Sequence, residues 1–396
     1  MLDKCVFGDY DTVITYEKDL IFLMQFPIQS ERLVSLFGQL VETDSPSRGE
    51  RAVCDRIIGK LRTFGITPVE DDAAERIGGN AGNLYAYIDG TLPLPPLLLC
   101  AHMDTVEPSR GKTMVLSPDG TITSDGTTVL GADDAAAIAA ILEALTVLIQ
   151  SGVPHRPIEL LFTAAEEPYC VGIQAFDFSR LQSKQAYVFD LTGSMRSAAI
   201  QAPTILSFRA EFSGRAAHAG FSPESGIHAI RAASLAVTRF PHGRIGDSTV
   251  NVGTISGGTA GNIVPDRCTV SGEIRSYTDA HATDLMKQIR QCAEQAAEQI
   301  GASVTVHTQR HVTAYHVPAD APVVTRYLRV CTELGLSPAL CSTFGGSDNN
   351  HLVQHGIQGI VPATAMFRCH TCQEYTTVTD LTTAAQIAYG IMISRD

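Results

Sequence analysis

The apolar positions of the chain follow two rhythms. From about residue 31 to residue 200, helically spaced stretches alternate with short, wholly apolar runs, the pattern of helices packed on a buried sheet. Helical spacing covers residues 31–41 and 48–64, and runs long enough for buried strands fall at 83–88, 97–101, 158–163 and 186–189. Residues 134–149 are Ala-rich and apolar nearly all round, with Gly152 and Pro154 beyond them as stop signals, which predicts a helix packed against that sheet. Between 202 and 311 the rhythm changes. Strand 205–212, helix 227–240, strands 250–256 and 268–277, helix 280–300 and strand 303–308 give the β-α-β-β-α-β order of a ferredoxin-like unit. After Pro318 the first rhythm returns, with helix 323–334, strand 359–362 and helix 380–393. The expected fold is α/β: a larger domain of residues 1–204 and 314–396, interrupted by a smaller α+β domain at 205–313.

Composition narrows the classes of function. A chain of 396 residues exceeds one ordinary core, and 44% apolar with 18% charged residues is a globular balance. The 29 Lys and Arg against 42 Asp and Glu leave a formal charge of −13, which repels phosphate backbones and acidic lipid. Nucleic acid and membrane surfaces are therefore not expected partners. Without a run of about 18 apolar residues, no membrane span is expected either. The apolar run at 20–26 is short, preceded by acids and followed by no small-residue cleavage site, so it does not read as a secretory signal. The ten cysteines are scattered through apolar stretches, as reduced core thiols would be, which points to the cytoplasm.

Open α/β sheets bind ligands outside the carboxyl ends of their strands, and the polar residues of interest stand there. His102 and Asp104 close the run that starts at Leu97, two apart, where period-two geometry points both side chains the same way. An Asp beside a His can fix its tautomer and strengthen it as a metal ligand; a turn cap beside a surface His is the plainer alternative. Asp133 and Asp134 precede the Ala-rich helix, where either could cap it, although two acids exceed what a cap needs and a carboxylate there could bridge two cations. Glu166 and Glu167 follow a buried strand. Neighbouring side chains diverge, so one could bind metal while the other faces substrate; an exposed acidic pair is the alternative. Asp190 reads as a ligand or as a plain turn residue. Gly345-Gly346-Ser347-Asp348 is a Gly-rich turn into a helix, either a simple helix start or a set of amides for an anion. Cys369-His370-Thr371-Cys372 holds half of a zinc ribbon, and no second C-x-x-C pair completes it. Neither a G-x-S-x-G elbow nor a phosphate-binding Walker run is present.

Taken in order, His102-x-Asp104, Gly-x-Asp133-Asp134, Glu166-Glu167, Asp190 and His370 form a collinear set that resembles the M20 family of metallopeptidases. The surrounding text is similar to the peptidase T-like, tripeptidase branch: Ala217-His218-Ala-Gly, Pro241-His-Gly-Arg244-Ile, Gly257-Gly-Thr-Ala-Gly-Asn262-Ile-Val-Pro, Glu273-Ile-Arg275-Ser and Gly345-Gly346-Ser-Asp348-Asn-Asn-His. The likeness runs from about residue 31 to 395. It implies a zinc-peptidase-like α/β catalytic domain, an inserted ferredoxin-like dimerisation and lid domain, and a homodimer. It also implies that His102 and Asp190 hold one zinc, that Glu167 and His370 hold a second, and that Asp133 bridges them, with manganese or cobalt as substitutes. By the same likeness Asp104 supports His102, Glu166 is the general base, and His218 reaches a partner's site to stabilise the oxyanion. Asn262 and Arg275 then bind the substrate carboxylate, and Gly346 belongs with the substrate-binding residues. Two dications against three carboxylates leave one positive charge, which a shared hydroxide neutralises. The implied reaction is amide hydrolysis in short peptides. Hydrolysis of N-acyl amino acids would use the same metals and base, whereas a metal-loaded protein that binds peptides without turnover would lack Glu166. Three departures from the family's usual residues, Ala135-Ala-Ala137, Pro168-Tyr-Cys170 and Arg215-Ala216, alter the neighbourhood of the site and remove no ligand.

Overall fold

The structure, a computed structural model, describes residues 27–396; the apolar run at 20–26 lies outside the described residues. By contact the chain divides into two units. The first holds residues up to Ala199 together with Pro318–Cys341 and Gly356–Asp396, and the second holds Ile200–Val317 and Ser342–His355.

The first unit is an α/β layer structure. Its strand Leu97–His102 is buried at every position, as a strand covered on both faces must be, and this is why its sequence shows no alternation. It pairs in parallel with Ile158–Thr163 on one side and Gln185–Val188 on the other, and Gln358–Pro362 adds a further parallel neighbour. Antiparallel strands widen the sheet: Leu84–Ile88 and Val69–Glu70 on one side, Ser197–Ala202 on the other. The Ala-rich helix Ala132–Ser151 packs against the helices Ser30–Val41 and Val378–Ile393, its small side chains allowing close approach. Glu143, buried in its middle, is paired at 2.7 Å with Arg32 on the first of those helices. Gly152, at φ 62°, ends it in the left-handed conformation that glycine adopts without strain.

The second unit is an antiparallel sheet in the order Gly243–Ile245, Ser248–Gly257, Arg267–Ser276, Thr204–Ser213, Ser303–Val312. With the helices Ala229–Val237 and Asp279–Ile300 it has the expected ferredoxin-like connectivity. Period-two burial of Leu206, Phe208, Ala210 and Phe212 meets the helical face of Ala282, Leu285, Ile289, Ala293 and Ala296. Gly272 is required in mid-strand: a Cβ there would stand 2.1 Å from the Asn251 carbonyl oxygen and 2.5 Å from the Phe208 ring. The first helix is shorter than the expected 227–240, because Ile227 pairs with Arg215 as an isolated bridge before the helix begins. None of the described helices is long and apolar enough to cross a membrane.

Candidate metal centre

The parallel strands bring their carboxyl ends together. His102 is the last residue of its strand, Glu166 and Glu167 follow Ile158–Thr163, Asp190 follows Gln185–Val188, and Asp133 stands at the start of the Ala-rich helix. His370 arrives from a turn beyond Gln358–Pro362, closed by paired hydrogen bonds between Phe367 and Tyr375. Arg368 and His370 in that turn have positive φ, 56° and 62°, a local strain typical of functional loops. Donor atoms of His102, Asp133 and Asp190 lie within 4.8 Å of one another, as do those of Asp133, Glu167 and His370. Asp133 is common to both groups. Its Oδ1 is 2.9 Å from His102 Nε2, and its Oδ2 is 3.2 Å from His370 Nε2, which also lies 3.2 Å from Glu167 Oε2.

These residues fit a pair of divalent cations. Tetrahedral zinc with bonds of about 2.0–2.1 Å separates neighbouring ligand atoms by roughly 3.3 Å, close to the spacings above. Glu167 Oε1 is buried with no hydrogen-bond partner, a costly position for a carboxylate oxygen unless a cation takes it. The protonation preferences agree. Burial works against charge on His102, yet the contacts with Asp104 and Asp133 outweigh it and hold the imidazole well above its usual range. His370 is pushed up to about 11 by the hydrogen bonds to Asp133 and then Glu167. Both rings thus face concentrated negative charge, which a cation between them and the carboxylates would neutralise in place of a proton. His102 is 2% exposed and the His370 side chain 55%, so the centre is open on the His370 side.

The surrounding residues bear on two expectations. Asp104 meets His102 with two groups: His102 Nδ1 is 3.0 Å from the Asp104 main-chain oxygen and 3.4 Å from its carboxylate. That carboxylate also accepts from Ser47 Oγ at 2.6 Å, Glu166 N at 2.8 Å and Glu167 N at 3.2 Å, and so shapes the turn that carries both glutamates. Neither Asp133 nor Asp134 caps the helix. Gly131 is the cap residue, both aspartates have non-helical backbone angles, and Asp134 Oδ2 accepts from the His102 amide at 3.1 Å. Cys170, noted above in Pro168-Tyr-Cys170, and two glutamates that sequence reasoning passed over complete the surroundings. Glu374, buried and with its carboxyl pushed up to about 7 by burial, accepts from Gly131 N at 2.7 Å and Asp133 N at 3.0 Å. Glu50 accepts from Ala165 N at 3.0 Å, and Cys170 donates to Glu166 Oε1 at 3.1 Å. The sequence signal for Glu374 is its position, four residues after His370.

The remaining candidates belong to the second unit. His218 and Asn262 lie on adjoining loop segments, with Ala219 N donating to Asn262 O at 2.9 Å. Arg275 donates from Nε to Glu273 at 2.8 Å and from Nη1 to the Phe344 carbonyl at 2.7 Å. Gly346 precedes a helix, Asp348–Gln354, that Ser347 and Asn350 close with a capping box. A Cβ on Gly346 would meet Ile205 at 3.0 Å and Val312 at 3.2 Å, which accounts for the glycine by packing.

A fold of this kind with this cluster of candidate ligands has the form of an α/β metallohydrolase, and comparison with known proteins makes it a peptidase. Residues 201–301 match the peptidase dimerisation domain, and residues 83–219 match peptidase family M28. The chain is 32% identical to the uncharacterized protein YqjE of Bacillus subtilis, over 92% of this chain and 98% of that one. Among solved structures it is similar to aminopeptidase PepT from Bacillus cereus, at 34% identity and a TM-score of 0.86, with 92% and 98% of the two chains covered. It is also similar to a tripeptidase from Staphylococcus aureus, at 30% identity and a TM-score of 0.89, with the same coverage. The chain belongs to the M20 family of metallopeptidases, with that family's dimerisation domain inserted in its α/β catalytic domain.

Proposed function

We propose that this protein is a dinuclear metal-dependent amidohydrolase of short peptides, acting as an aminopeptidase of the tripeptidase kind. The observation that carries the reading is the pair of ligand groups that share Asp133. The names of two relatives, an aminopeptidase and a tripeptidase, support the substrate class. His102, Asp133 and Asp190 would hold one cation, and Asp133, Glu167 and His370 the other, with zinc as the expected metal and manganese or cobalt as substitutes. Bound there, the cations supply a water nucleophile active at neutral pH and an electrophile for the scissile carbonyl.

The chain's own residues do the rest. Glu166, kept beside the ligands by the Asp104 carboxylate on its amide, takes the proton of the attacking water and passes it to the leaving amine. His218 donates a hydrogen bond to the oxyanion, within a homodimer in which a second copy supplies it. Asn262, Arg275 and Gly346 line the place of the substrate carboxylate, where a guanidinium gives a bidentate grip. A reducing, cytoplasmic setting is part of the reading, and none of the nine described cysteines is in a disulfide.

Replacing Glu166 by Ala tests the assignment. Two cations per chain should remain by elemental analysis while kcat on a tripeptide falls by about 10²–10⁴-fold. Unchanged turnover would reject Glu166 as the base. Hydrolysis of N-acyl amino acids by the wild type, with tripeptides untouched, would move the substrate class and leave the metal centre standing.

A further inference from the structure

In the second unit, the main chain of His218 pairs with Ile263, and Val264 N donates to the Ala217 carbonyl at 2.9 Å, so the loop is stitched along residues 262–264. The side chain then folds back on its own loop. Nδ1 accepts from Gly220 N at 3.1 Å and from Phe221 N at 3.2 Å. Two N–H donors aimed at one ring nitrogen leave no room for a proton there, so in the neutral ring the proton sits on Nε2. Phe221 covers the face of the same ring, the centroids 4.2 Å apart and the planes at 29°. The residue is otherwise in water, 87% exposed, so the stacked imidazole is the contact its ring makes.

We propose that Phe221 is a positioning residue that holds His218 as a fixed Nε2–H donor. The acceptor, the oxyanion of amide hydrolysis, rests on the function proposed above. The loop amides select the tautomer, and the stacked ring restrains the imidazole plane so that those two hydrogen bonds persist. An imidazole free to rotate would lose them and exchange tautomers, and for part of the time it would turn a lone pair toward the developing negative charge. A donor oriented before the reaction needs no reorganisation during it, which is where such groups gain their effect.

The test uses the zinc-reconstituted full chain labelled with 15N-histidine, with the His218 signals assigned by their loss in His218→Gln. In the wild type, NMR should find Nδ1 unprotonated and Nε2 protonated. Phe221→Ala should give a tautomer mixture and Phe221→Tyr the wild-type spectrum. With a tripeptide substrate, Phe221→Ala should lower kcat by about tenfold, part of the effect of losing an oxyanion donor outright, with KM within about twofold. Phe221→Tyr should restore kcat. A wild-type proton on Nδ1, or a Phe221→Ala variant with the wild-type tautomer and kcat, overturns the proposal. A protein that cleaves no amide refutes the function proposed above, while the 15N spectra still decide whether Phe221 holds the ring.

Discussion

His102 and His218 are both held in fixed orientations, by opposite means. His102 ends a strand buried at every position and is gripped by carboxylates, with Asp133 2.9 Å from one ring nitrogen. His218 lies in an exposed loop and is gripped by main-chain amides and one aromatic face. The first arrangement concentrates negative charge around the ring and suits a metal. The second directs a lone pair inward and a single donor outward, and suits a neutral hydrogen bond. The catalytic unit thus fixes charge with buried carboxylates that outweigh the cost of burial, whereas the inserted unit fixes direction with little burial.

That contrast predicts unequal responses to mutation. Asp133→Ala removes the ligand shared by both groups, so elemental analysis should find cation content falling toward zero, with peptide hydrolysis at background. Retention of a full complement would separate the two groups and break the comparison. Glu374→Gln should act more gently, because its carboxylate holds the Gly131 and Asp133 amides and not the metal itself. Isothermal titration should read a cation affinity weakened by about 10–100-fold, as for other outer partners of metal ligands. In the inserted unit, Arg275→Lys should raise KM for a tripeptide by about tenfold with kcat retained, since the ammonium loses the bidentate fork. An unchanged KM would make the Arg275 ion pair with Glu273 purely structural.

The parts that could be read in the sequence share one physical origin. His102, Glu166, Glu167 and Asp190 are polar groups at the ends of wholly apolar runs, and a buried parallel sheet leaves few other reasons for them to be there. The helix 134–149 and the β-α-β-β-α-β order were legible from periodicity and stop signals, and the ferredoxin-like connectivity followed. Glu374 and Glu50 were not legible, because each makes its contact through folding. Glu374 meets the Asp133 amide across 241 positions, and no local pattern encodes such a meeting. The strand Gly243–Ile245 is only three residues long, too short to carry a period. The helix from 227 began late for a related reason: Ile227 follows the helical spacing but spends its main-chain hydrogen bonds on Arg215.

Anomalous diffraction from crystals of the zinc-reconstituted protein measures the central claim directly. The account predicts two zinc peaks per chain, one beside His102 and Asp190 and one beside Glu167 and His370, with Asp133 reaching both. A single peak, or zinc bound away from Asp133, would contradict it.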